Sequence, residues 1–483
     1  MDNSVMKSFF VSKAWSMKEG FLLGGGLVIV GLLLQWLLGP VTWDAFAWPV
    51  NGIVLAAFLL LIAVLFLQSK RVYALTFLGS YQAAVPALCY AVLLTVIMGF
   101  GLYEMLSFWP LVLIYVYVSI ILGLVVLRQL RTWAASRFSL RAFRASLLLH
   151  LGLFVAMTSA TLGSADVQRL KMLTVVDNPE WRALTAEQQV VEMPFTISLK
   201  KFIMETYPDG KPKRFASEIV IAPHASHPSP LTSKIEATVD VNKPIKVGGW
   251  MIYQFDYDAQ RGTESQVSLL ELVSDPWLPL VYAGIYMLLA GAVLMMLRSI
   301  PWKKAYQRAQ QHPKRALSLL LLTIASFVCI HHFMPILHSN TLVPALQSPW
   351  FVPHIVAYMF AYTLMATAAI SAIYLLIKKS SSTLDNLVYG GLAFMTVGML
   401  FGALWAKEAW GHYWAWDPKE TWAAITWFAY LVYVHYRKIP THKPKLALWA
   451  LLISFVLLQM CWWGINYLPS AQETSVHTYN KSE

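Results

Sequence analysis

The run WAKEAWGHYWAWDPKETWAAITWFAYLVYVHY, residues 405–436, places six of the chain's 20 tryptophans between Trp405 and Trp427. At its centre, Asp417-Pro418-Lys419-Glu420 reads as a helix start. Asp caps free N–H groups, Pro suits the first helical position, and Glu stands where a capping box wants an acid. The helix launched there stays apolar and aromatic to about Tyr436, enough to enter a bilayer. Upstream, Trp410, Tyr413 and Trp414 have the spacing of one helical face. A short helix or loop along the membrane surface is expected to present them as a tryptophan shelf. An aromatic belt at the membrane–water boundary explains some tryptophan, but not this density around a charged cap.

The rest of the chain is equally apolar. Hydrophobic residues make up 58% and charged ones 13%, which excludes a soluble enzyme. Eleven stretches are long enough to cross a bilayer: 21–38, 50–67, 84–102, 109–127, 145–163, 277–297, 317–337, 351–377, 385–405, 421–436 and 446–463. Lys and Arg orient them. Segments on one side hold 22 of the 37, those on the other hold 3, and 12 lie in the long segment 164–276. Long segments translocate largely regardless of charge, so the N-terminus is expected in the cytoplasm and the C-terminus and 164–276 outside, as in a bacterial inner membrane. The net charge of +12 is then a topology signal and gives no reason to invoke nucleic acid. No small-x-small cleavage site follows the first apolar run, so no cleavable signal peptide is expected. Cys89, Cys329 and Cys461 form no C-x-x-C pair, which supports neither a thiol relay nor a haem bound covalently to this chain.

Residues 1–144 carry the first four spans. Residues 145–297 hold two spans flanking the outer segment 164–276, residues 298–316 form a basic cytoplasmic linker, and 317–483 hold the last five spans with the aromatic segment 405–422. Within 164–276, the runs 214–221, 234–241 and 265–272 alternate as strands do, separated by turn residues at Pro208-Asp209-Gly210 and Gly248-Gly249. The expected fold is an all-α polytopic membrane protein of about 11 transmembrane helices, with one small extracytoplasmic β-rich domain.

Sorted by depth, the histidines form two groups. His435 lies 18 residues past Asp417, about 27 Å along the helix, close to the cytoplasmic end. His150 lies six residues past Arg144, about 9 Å in from the same side. Two imidazoles at similar depth make a candidate axial pair for haem iron, the alternative being that each bonds to a neighbouring helix on its own. Haem, flat and apolar with a charged edge and a metal centre, also suits broad indole faces. On the outer side, His354 and His477 flank the tryptophan shelf and form a second possible pair, with His331, His332, His338 and His412 as rivals. His224 and His227 read as residues of a solvated loop.

Trp410-Gly-His-Tyr-Trp-Ala-Trp-Asp-Pro-Lys-Glu-Thr-Trp422, followed by Ile425-Thr-Trp427 and Tyr430-x-x-Tyr433-x-His435, resembles the WWD signature of the haem-handling superfamily. The Asp-Pro-Lys-Glu-Thr version with a trailing Ile-Thr-Trp is similar to the system II (Ccs/Res-type) cytochrome c synthases. Residues from about 317 to 479, including Gly464-Ile-Asn-Tyr467 ahead of His477, resemble the CcsA partner. Residues 145–297 resemble the CcsB/ResB partner through Leu162-Gly-Ser-Ala-Asp-Val-Gln-Arg169 and Asp275-Pro-Trp-Leu-Pro-Leu-Val-Tyr282, with an outer domain short for that family. The whole looks like a fused CcsBA form.

This resemblance implies that haem b enters as a substrate from the cytoplasmic side and is held by His150 and His435. It then passes to the outer face, where His354 and His477 ligate it beside Trp410, Trp414, Trp416, Asp417 and Trp422. There its vinyl groups form thioethers with the C-x-x-C-H motif of an apocytochrome c, making the chain a haem lyase. The implied partners are apocytochrome c, haem, the lipid bilayer and thiol-reducing proteins. Two other readings stay open: a haem transporter without ligation activity, and a resident bis-His electron-transfer protein working with quinol.

Overall fold

The computed structural model describes residues 15–69, 71–101, 105–139, 143–224, 228, 231–299, 302–332, 342–380 and 384–469. Among these, nine helices are long and apolar enough to cross a membrane. In chain order the helices are α1 (Met17–Leu38), α2 (Val50–Gln68), the short α3 (Tyr73–Leu78), α4 (Tyr81–Gly99), α5 (Trp109–Ala135) and α6 (Ala145–Gly163). After the β-domain come α7 (Leu278–Ser299), α8 (Trp302–Gln311), α9 (Pro313–His332), α10 (Phe351–Ile377), α11 (Asp385–Trp410), α12 (Pro418–Tyr436) and α13 (Pro444–Trp462). All eleven expected stretches fall on helices, to within two residues at their described ends. Two fall short of the length-and-apolarity criterion for a span. In α9 the apolar part runs only over Leu320–Cys329. In α12 the polar start is enclosed instead by protein, with Thr421, Trp422, Tyr430 and Tyr433 buried.

A capping box in which Ser16 and Glu19 bond reciprocally starts α1. Its Leu22, Trp36 and Leu37 are largely exposed, as they must be on a helix facing hydrocarbon. Small residues set a close helix contact. A Cβ on Gly284 of α7 would come within 2.6 Å of the backbone N of Ala156 in α6, so only glycine allows this pair to touch along its backbones. The N-terminal block is locked to the last helices. The Trp422 indole N–H donates to the carbonyl of Gly99 at 3.1 Å, joining α4 to α12.

Between α6 and α7 stands one eight-stranded antiparallel sheet, ordered β5-β4-β3-β2-β1-β8-β7-β6. The strands are β1 (Gln168–Val175), β2 (Glu180–Leu184), β3 (Val190–Thr206), β4 (Pro212–Pro223), β5 (Ile235–Asp240), β6 (Ile245–Val247), β7 (Trp250–Tyr257) and β8 (Val267–Ser274). The alternating runs read from the sequence fall in β4, β5 and β8. Alternation puts Leu170, Met172, Ile197, Leu199, Leu270 and Leu272 in one core. The turns at Gly210 (φ +83°) and Gly249 (φ +89°) use backbone conformations that glycine adopts at no steric cost. The protein is therefore a helical polytopic membrane protein carrying a small β-domain.

Candidate functional site

Two places gather the residues singled out from the sequence. The first lies among α4, α5, α6 and α12. His150 stands one turn into α6, and its Nδ1 faces the Ser146 carbonyl and the Gln129 side chain. His435 stands in the last turn of α12, its Nδ1 2.8 Å from the Leu431 carbonyl. A carbonyl oxygen only accepts, so Nδ1 of His435 carries the proton and its Nε2 keeps its lone pair, and His150 does the same where its Nδ1 donates to Ser146, the nearer of its two partners. The two ring centres are 6.3 Å apart with planes at 89°. Two imidazoles binding one metal from opposite sides would place their ring centres about 6 Å apart, since each nitrogen–metal bond is about 2 Å.

The rings border a cavity of about 710 Å³, walled by apolar side chains such as Leu88, Leu153 and Trp427 and edged by Arg128, Arg144 and Lys438. That volume suits a cofactor-sized ligand. Among the described residues, no group of three or more His, Cys, Asp or Glu could cage a bare ion. A donor set of two imidazoles plus cations suits an iron that brings its own in-plane nitrogens and carries carboxylates. Beyond His435, the guanidinium of Arg437 bonds the Asp385 carboxylate at 2.9 and 3.1 Å and fixes the end of α12. That hydrogen-bonded carboxylate raises the Arg437 pKa above its ordinary value.

The second place is the loop 411–417 at the other end of α12. Helix α11 stops at Trp410 because Gly411 turns left-handed, with φ +72°. The tryptophan shelf is therefore a loop, and Trp410, Tyr413 and Trp414 do not share a helical face. The β-domain grips this turn. Lys407 Nζ donates to the Gly411 carbonyl at 3.0 Å and pairs with Asp275 at 3.5 Å, both side chains under a tenth exposed. Arg169 of β1 bonds Glu271 of β8 in a bidentate pair and also donates to the Trp410 carbonyl at 2.8 Å. The end of α11 is also tied to the segment that leads into α10. Glu408 accepts from Trp350 Nε1 at 2.8 Å and from Ser348 Oγ at 3.2 Å, and Trp405 Nε1 donates to the Ala345 carbonyl at 2.7 Å.

His354, in the first turn of α10, directs Nδ1 to the Gly398 carbonyl at 2.8 Å. Its ring centre is 5.8 Å from that of Trp405, and a Cβ on Gly402 would press within 2.8 Å of the imidazole. Trp405 packs on Trp410 at 5.1 Å, and Trp410 on His412 at 6.2 Å. Trp414 and Trp416 meet edge to face at 5.8 Å, and the enclosed Trp414 Nε1 has no hydrogen-bond partner among the described residues. Burial pushes the Tyr413 phenol above its ordinary pKa, so it stays neutral.

Asp417 caps α12, accepting from the Glu420 N–H at 2.8 Å. The expected capping box is not reciprocal, because Glu420 reaches back to the Ala415 N–H instead. Trp422 is not on the shelf. At 1% exposure it is enclosed, with Phe100 edge-on at 5.4 Å. Its spacing from the cap turns it inward between α4 and α12, leaving no face open to a ligand. His332 is exposed near the end of α9. His338 and His477 lie outside the described residues, as does His227, while His224 stacks on Trp181 at 5.2 Å.

Sequence reasoning missed Lys407, Glu408, Arg169, Asp275 and Gln129. Lys407 and Glu408 did carry a signal: two charges at the end of an otherwise apolar helix. Arg169 and Asp275 stand in the two runs that resemble the CcsB/ResB partner, but nothing local told what they bond to, because their partners Trp410 and Lys407 are distant in sequence.

The family "Cytochrome C assembly protein" matches residues 281–471, and the "ResB-like family" matches residues 132–268. The chain is similar to cytochrome c biogenesis protein CcsA of Chlamydomonas reinhardtii, 34% identical over 178 residues, covering 34% of this chain and 48% of the relative. The CcsA of Guillardia theta is 32% identical over 197 residues, covering 34% and 64%. That of Prochlorococcus marinus strain AS9601 is 32% identical over 227 residues, covering 39% and 72%. The chain thus spans about half to two thirds of the length of the first two. With a ResB-like part ahead of a CcsA-like part in one polypeptide, the chain belongs to the system II cytochrome c biogenesis family, in its fused CcsBA form.

Proposed function

We propose that this chain carries haem b across the bacterial inner membrane and joins it to apocytochrome c as a haem lyase. The observation that supports this most directly is the pair His150 and His435, 6.3 Å apart beside the cavity. They come from the ResB-like and CcsA-like parts, so the inner site needs both. In this reading the N-terminus is cytoplasmic, and haem enters at the end edged by Arg128, Arg144 and Lys438, cations suited to propionates. Both axial positions are filled by imidazole, which shields ferrous iron from oxygen.

At the outer end, His354 and His477 receive the haem beside Trp410, Trp414 and Trp416, whose indoles offer flat apolar contact. Asp417 holds the turn from which α12 starts, and Trp422 holds that helix to α4. Each thiol of a C-x-x-C-H motif adds across a vinyl double bond. Sulfur joins one carbon, a proton ends on the other, and no net oxidation occurs. Holding both partners together supplies the effective concentration that such an addition needs. The cytochrome's own histidine then displaces one imidazole. Thiol-reducing proteins keep the motif reduced.

The test is coexpression of the chain with an apocytochrome c in a host lacking its own maturation genes, with covalent haem read on a denaturing gel. Haem that migrates with the cytochrome is expected. Stable expression of both proteins with no covalent haem overturns the ligation reading.

A further inference from the structure

The outward face of the β-domain runs on past the tryptophan loop. A sheet with one face to water normally alternates apolar in and polar out. Strand register lines up a single outward row here: Tyr253 beside Glu271, Glu271 beside Lys171, Lys171 beside Leu184, and Leu184 beside Val190. The loop covers the first two members. Tyr253 and Val273 pack against Gly411, and Glu271 is held by the Arg169 that bonds the Trp410 carbonyl. The far members are open, Leu184 at 44% and Val190 at 61% exposure. In the adjoining row, Leu173 is also exposed. Phe255 is thrust outward by a bulge between Gln254 and Asp256, with Lys171 Nζ 4.0 Å above its ring. Bulges that re-aim a side chain recur beside active sites.

We propose that this face is the docking surface for an extended segment of the apocytochrome chain flanking its C-x-x-C-H motif. The inference rests on the ligation reading and adds a place for the polypeptide. The row continues directly from the contact between β-domain and tryptophan loop, so a chain lying on it delivers its thiols to that loop. At about 4.8 Å per strand the row spans roughly 19 Å, the length of about six extended residues. A lysine set among apolar side chains matches a segment carrying an acidic residue between apolar ones. A hydrocarbon surface would leave the Lys171 ammonium unpaired.

The test uses the full chain in nanodiscs, loaded with haem, and a fluorescent synthetic peptide with a C-x-x-C-H motif and acidic-apolar flanks. The double variant Leu173→Asp, Leu184→Asp is expected to raise the peptide Kd about tenfold or more. Its haem content, haem spectrum and thermal midpoint should stay at the unsubstituted values. A photo-crosslinker placed at Val190 of the otherwise unchanged chain should capture the peptide, and one at the exposed Lys200 should not. That second arm stands even where the double variant folds poorly. Equal peptide affinity in a folded variant overturns the proposal, as does crosslinking at Val190 to lipid instead of peptide. Peptide that binds here without gaining covalent haem keeps the surface and sinks the ligation reading. Ligation at unchanged KM in the folded variant does the opposite.

Discussion

The two ends of α12 solve different problems. At the His435 end, a few polar groups stand around a cavity, each imidazole held through Nδ1 by a carbonyl of its own helix. At the Asp417 end the indoles pack on one another, and Asp275 and Arg169 of the β-domain side clamp the end of α11, Asp275 through the buried Lys407 and Arg169 through the Trp410 carbonyl. The His435 end is built around open space, so substitutions there should change what is bound and leave the fold intact. The Asp417 end is built as a joint, so substitutions there should first change how the halves fit.

The largest expected effect tests the inner end. His150→Gly or His435→Gly removes one of the two imidazoles proposed to hold haem. Since even residues that only orient a metal ligand typically matter by about tenfold in affinity, copurified haem should fall by at least that factor. Absorbance of the purified protein measures it, and the thermal midpoint should barely move. Unchanged haem content and spectrum in both variants would break the inner half of the comparison.

Lys407→Met tests the joint. It leaves Asp275 buried without its cation, which in buried ion pairs costs about 3–5 kcal/mol. A lower thermal midpoint with haem still at the His150–His435 pair is expected, and adding Asp275→Asn should restore part of the loss. A haem spectrum that vanishes with Lys407 while the midpoint holds would mean that the two ends do not divide the work this way.

How legible these ends were from sequence follows the same division. The spans were readable because hydrophobicity is a local property. So was the matching level of His150 and His435, whose rings lie 6.3 Å apart, because a helix converts residue count into distance. The sheet was readable from alternation in 214–221, 234–241 and 265–272. The joint was not. Arg169 and the Trp410 carbonyl are 241 residues apart, and no local pattern announces that they meet. Trp422 shows the limit from the other side. One indole in a run of six looks like shelf, and only its three-dimensional neighbours, Gly99 and Phe100, make it a tie between blocks. Trp422→Phe keeps the ring but strands the enclosed indole-bonded carbonyl of Gly99, a loss of about 1–3 kcal/mol. Thermal melting should show it, with no change in the haem spectrum.

The smallest effect is the most discriminating, because it asks whether Asp417 is a cap or takes part in chemistry. Its carboxylate accepts from the Glu420 N–H, and it is itself buried. A cap needs only an accepting oxygen, which Asn supplies as well as Asp. Asp417→Asn should therefore leave both the thermal midpoint and covalent haem transfer near the unsubstituted values, whereas Asp417→Ala should cost about 1 kcal/mol. A carboxylate that holds or moves a proton at the thiols fails in both variants, since the amide carries no exchangeable charge. The decisive pair is thus stability against transfer in Asp417→Asn. Normal melting with lost transfer would make this residue more than the start of a helix, and the outer end would then be a reacting site as well as a joint.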